Sequence, residues 1–83
     1  MKQLTWKKKV ERDGQYTSTF WRAKIPKLNW EFTIEEDDKR YAAYVYLGEG
    51  EDIILSRSSK TVDSAKTSCV QWIRSMAKTL SDY

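Results

Sequence analysis

The chain has 83 residues, of which 40% are hydrophobic, 13% aromatic and 33% charged, with a formal net charge of +3. That length holds one domain and one core, and the periodic apolar segments exclude a disordered chain. It contains no histidine and one cysteine, so it lacks the commonest general base and metal ligand and forms no internal disulfide.

In chain order, the first expected strand is Leu4–Val10, which carries the Lys7-Lys8-Lys9 run. It ends before Asp13-Gly14, a pair suited to a tight hairpin. The second strand is expected over Tyr16–Ile25 and is ended by Pro26, which has no amide hydrogen to give to a ladder. In it Trp21, Ala23 and Ile25 alternate with Phe20, Arg22 and Lys24. The third spans Trp30–Glu36, where Trp30, Phe32 and Ile34 alternate with Glu31, Thr33 and Glu35. A turn at Asp37-Asp38-Lys39 leads to a fourth over Arg40–Leu47. Gly48-Glu49-Gly50 then turns the chain into a short fifth strand at Asp52–Ser56.

The last element reads as a helix over residues 62–80. Val62, Ala65, Cys69, Val70, Trp72, Ile73, Met76, Ala77 and Leu80 share an arc of roughly 160°, with Lys66 the one polar intruder. Thr61 suits the N-cap, and Asp63 and Lys78 suit the dipole at the two ends. The expected fold is therefore α+β: an antiparallel meander of four to five strands with one C-terminal amphipathic helix packed on one face. Trp21, Ala23, Ile25, Trp30, Phe32, Ile34, Tyr41, Ala43, Val45 and Leu47 should line the buried side. Phe20, Arg22, Lys24, Glu31, Thr33, Glu35, Tyr44 and Tyr46 should lie on the other.

Charge is segregated along the chain. Residues 1–28 hold eight Lys/Arg against Glu11 and Asp13, residues 29–54 hold eight Asp/Glu against Lys39 and Arg40, and residues 55–83 hold five Lys/Arg against Asp63 and Asp82. The first block suggests a phosphate-attracting ridge built from Lys7, Lys8, Lys9, Arg22 and Lys24, or a charged strand that guards a sheet edge.

Candidates for chemistry have structural explanations. Cys69 falls inside the helix's apolar stripe, where a thiolate is disfavoured. Glu35-Glu36-Asp37-Asp38 lacks the alternating oxygen ligands of a calcium loop, and Gly48-Glu49-Gly50-Glu51 lacks the Lys-Ser/Thr of a phosphate loop. Neither catalytic activity nor a cofactor nor a metal is expected. The function should lie in binding, with Phe20, Tyr44 and Tyr46 as exposed aromatic anchors.

Two resemblances bear on this reading. Trp21-Arg22-Ala23-Lys24-Ile25 and Lys60-Thr61-Val62-Asp63-Ser64-Ala65-Lys66 followed by Trp72 resemble the first strand and helix entry of the N-terminal arm-binding domain of phage integrases. In that family the sheet enters the DNA groove. Trp30-Glu31-Phe32-Thr33-Ile34 and the Thr61 to Lys66 pattern resemble small uncharacterised phage and prophage accessory proteins. The second resemblance implies a factor that binds a host or phage protein, such as an inhibitor of a host defence or nucleic-acid-processing system. The alternative is a nucleic-acid-binding module, for DNA before RNA, that uses the N-terminal strands. The Met1–Val10 segment has no apolar stretch behind its lysines and so does not read as a signal peptide. The expected compartment is the cytoplasm (the host cell's, if the chain is phage-encoded), with no membrane partner and a monomeric or homodimeric state.

Overall fold

A computed structural model describes residues 4–25 and 29–81, with side chains as far as Met76. Five strands, β1 (Lys7–Asp13), β2 (Tyr16–Lys24), β3 (Glu31–Asp37), β4 (Arg40–Tyr46) and β5 (Ile53–Ser59), precede α1 (Val62–Ser81). They pair in chain order, each antiparallel to the next. The chain thus forms the α+β meander with a C-terminal helix, and all five strands are present. Pro26, expected to end β2, lies outside the described residues, as do the side chains of Lys78, Ala77 and Leu80. Among the described residues no helix is long and apolar enough to cross a membrane.

Short turns set the register. Asp13 pairs with Tyr16, leaving a two-residue loop in which Gly14 has φ +63°. A glycine with positive φ in the first loop position matches the right-handed twist of the strands it joins. The turn is therefore Gly14-Gln15, one residue later than the expected Asp13-Gly14. Asp37 pairs with Arg40, so Asp38 and Lys39 make the next loop, with φ values of 46° and 66°. Both occupy left-handed backbone without the usual glycine.

The apolar alternation of β2, β3 and β4 places one set of side chains on the helix side of the sheet. The core is Ile25, Phe32, Ile34, Ala43, Val45, Ala65 and Cys69, all at most 4% exposed. Four tryptophans pack around it. The Trp6 ring stacks 6.2 Å from Phe32, Trp72 meets Phe32 edge-on at 5.9 Å, and Trp30 lies 5.6 Å from Trp72. Trp21 sits edge-on to Tyr41 at 5.7 Å. Such pairs add about 0.5–1.5 kcal/mol each beyond the area they bury.

Thr61 caps α1. Its Oγ1 accepts a hydrogen bond from the Ser64 amide at 3.0 Å, and its carbonyl accepts from the Ala65 amide. Lys66, the exception on the helix's apolar stripe, lays its Nζ 5.7 Å from the centre of the Trp6 ring. Its stem covers apolar surface while its charge meets the indole face.

Boundaries differ most from expectation in the first and last strands, and β1 runs on to Asp13 and not only to Val10. Strand β1 begins at Lys7 and not at Leu4, because Leu4 and Trp6 turn in to pack against the core. Strand β5 runs to Ser59 and not Ser56. Its pairing with β4 slips twice, between Tyr41 and Ala43 and between Ala43 and Tyr44. The buried Ser59 hydroxyl is satisfied across this irregular stretch by Ser56, Oγ to Oγ at 2.7 Å.

Candidate functional site

Among the described residues α1 approaches β3, β4 and β5 closely but not β1 or β2. Among the described residues no layer covers the far face of the sheet, and its composition follows from register. Directly paired residues of antiparallel strands project to the same side. One rung on the far face is Lys7, Arg22, Thr33, Tyr44 and Ile54. A second is Lys9, Phe20, Glu35 and Ala42, and a third is Lys24, Glu31 and Tyr46.

The expected aromatic trio is on this face, but its members differ in accessibility. Tyr46 is 41% exposed, Tyr44 is half-buried and Phe20 is 8% exposed. The Arg22 guanidinium carbon sits 4.7 Å from the centre of the Phe20 ring, and Lys9 and Glu35 flank it on the adjacent strands. Phe20 is thus the floor of the face and not an exposed anchor, which corrects the role read from its alternation. A shallow cavity of about 310 Å³ opens over this floor, lined among others by Glu11, Ser18, Arg22, Thr33 and Glu35.

Ile54 takes the place that Phe20 vacates. It pairs with Tyr44 and is 46% exposed, so Tyr44, Tyr46 and Ile54 form one apolar cluster where β4 meets β5. The sequence held the signal for this. Ile53 and Ile54 are neighbours in a strand, so they point to opposite faces and cannot both enter the core.

The five residues of the expected basic ridge do not gather on one surface. Lys7, Lys9, Arg22 and Lys24 lie on the far face, whereas Lys8 projects to the helix side, 5.7 Å from the Trp21 ring. Two of the four have acidic partners. Lys9 meets Glu11 at 3.6 Å, and Arg22 meets Glu31 at 4.0 Å. Counted over β1–β4, this face carries five cations (Lys7, Lys9, Arg22, Lys24, Arg40) and five anions (Glu11, Asp13, Glu31, Glu35, Asp37). The segregation seen along the chain is cancelled by pairing basic strands with an acidic one.

Cys69 is fully buried, and loss of solvent pushes its thiol from 9.0 to about 12, only partly opposed by a backbone hydrogen bond. It stays protonated at neutral pH and is a packing group. Among the described residues no three His, Cys, Asp or Glu side chains gather to hold a metal ion. No protein-family model, curated protein or solved structure matches this chain.

Proposed function

We propose that this chain is a non-enzymatic binding module whose contact surface is the sheet face turned away from α1. Its partner is a protein, with Tyr44, Tyr46 and Ile54 as the apolar anchors. The observation that carries this reading is the setting of that cluster: half-buried to exposed aromatic and aliphatic side chains at the β4–β5 edge, beside far-face charges of β1–β4 that balance five to five. Mixed charges beside an apolar patch suit a protein surface of mixed sign, where they select orientation and partner more than they add affinity. A polyphosphate would meet as many carboxylates as cations. The likeness of Trp30–Ile34 and Thr61–Lys66 to small phage proteins adds the context of an accessory factor, with an inhibitor of a host defence or nucleic-acid-processing system as the specific form.

The test combines two measurements. Tyr44→Ala with Tyr46→Ala should keep the fold by circular dichroism but lose the protein that wild type retains from a host lysate. Undiminished retention of that protein contradicts the reading. A mobility-shift titration with DNA and RNA at low salt should show no retardation. Binding that weakens steeply with salt and depends on Lys7, Lys9, Arg22 and Lys24 would replace this reading with the nucleic-acid one.

A further inference from the structure

The two edges of the sheet are built differently. Strand β5 is irregular, with two slips against its neighbour. Strand β1 pairs with β2 without interruption over all seven of its residues, contains no proline, and is exposed along its whole length. Its free side is a regular row of peptide groups, the template on which another strand adds.

The hairpin determines which groups face outward. Asp13 and Tyr16 flank a two-residue loop, so they form a hydrogen-bonded pair, and pairs alternate from there. The amides and carbonyls of Lys7, Lys9, Glu11 and Asp13 therefore point to β2. Those of Lys8, Val10 and Arg12 point away from the sheet. A strand adding antiparallel must set its own outward groups opposite these three.

The β1 sequence, Lys7-Lys8-Lys9-Val10-Glu11-Arg12-Asp13, meets that demand with a second copy of itself. Centred on Val10, each outward residue faces an outward residue: Val10 against Val10, and Lys8 against Arg12. Six backbone hydrogen bonds then form across the axis, two at each such pair. On the face shared with Tyr44 and Tyr46, Lys7 meets Asp13 and Lys9 meets Glu11, each pair occurring twice by symmetry. These four opposite-charge rungs outnumber the two like-charge rungs of Lys8 and Arg12. Shifting the pairing by two residues puts Lys9 against Lys9 or Glu11 against Glu11 and shortens the overlap. Val10, 48% exposed in the monomer, is covered at the axis.

We infer that β1 is a homodimerisation edge, in which two copies pair antiparallel about Val10 to make one continuous ten-stranded sheet. The interface is isologous and closes on itself, so it ends at the dimer. Backbone hydrogen bonds and the covered valine hold it, and the charges choose the register. The inference is independent of the partner-binding reading.

Sedimentation equilibrium of the intact chain, from micromolar to millimolar concentration, tests it. Wild type should rise from 9.8 kDa towards twice that mass. Val10→Pro removes an amide hydrogen that points away from β2, so it should keep the hairpin and circular dichroism signal yet remain at 9.8 kDa. Glu11→Lys turns two rungs from opposite to like charge and should weaken dimerisation roughly tenfold. Lys9→Glu with Glu11→Lys restores opposite pairs in the same register and should recover it. A mass of 9.8 kDa at every concentration overturns the inference. So does association that survives Val10→Pro, or a charge swap that fails to recover what Glu11→Lys lost.

Discussion

The guanidinium carbon of Arg22 lies 4.7 Å from the centre of the Phe20 ring, on the face of the sheet that the helix does not reach. The two residues are two apart in β2 and so project to the same side. Stacking hides a phenyl ring that would otherwise be open to water and holds the arginine near Glu31 at 4.0 Å. This small second core gives the far face a packed floor beside the more accessible cluster of Tyr44, Tyr46 and Ile54.

Stability should separate floor from anchors. Phe20→Ala is expected to cost about 3 kcal/mol, the lower end for a buried phenylalanine, since one side of the ring meets an arginine and not a packed layer. Tyr46→Ala, at a 41% exposed position, should cost under about 1 kcal/mol. Urea denaturation of the two variants checks this. Equal losses would mean that Tyr46 is structural.

The Asp38-Lys39 turn carries avoidable backbone strain. Aspartate tolerates the left-handed region through its short polar side chain, but lysine gains nothing there. With φ at 66°, Lys39→Gly should raise stability by about 1 kcal/mol without altering the β3–β4 register. Thermal denaturation reads the gain as a higher Tm.

Removing the Thr61 hydroxyl leaves the Ser64 amide without its 3.0 Å acceptor. Thr61→Ala should lose about 1 kcal/mol, and Thr61→Ser should keep most of the wild-type value. The same denaturation series measures both.

Cys69 predicts a stability loss at alkaline pH. Well below 9.0 the thiol is protonated in both folded and unfolded chains and contributes no pH dependence. Between 9.0 and about 12 the unfolded chain releases the proton while burial makes the folded one keep it, so rising pH favours unfolding. The stability difference between wild type and Cys69→Ala should be flat well below pH 9.0. Above it, wild type should fall relative to the variant.

Alternation in β2, β3 and β4 made the two faces of the sheet legible, because a strand's side chains alternate whatever packs on them. The helix stripe was legible for the same kind of reason, and Thr61 sits at the cap that its hydroxyl suits. Phe20 shows where such reasoning stops. Alternation gives a residue its side, but its burial depends on what Arg22, Lys9 and Glu35 do around it. The balance of charge was equally hidden, since it arises when basic β2 pairs with acidic β3, two segments that a count along the chain keeps apart. The spacing of Leu4 and Trp6 fits a strand, but the core attracts them more strongly than the edge ladder.

The central claim is that partner contact is made by the face carrying Tyr44, Tyr46 and Ile54. A photoactivatable phenylalanine analogue placed at position 46, and separately at the exposed helix position Gln71, tests it most directly in living cells. The expected result is a discrete protein adduct from position 46 that is absent from position 71. Adducts formed at 71 and not at 46, or at both alike, would contradict the account.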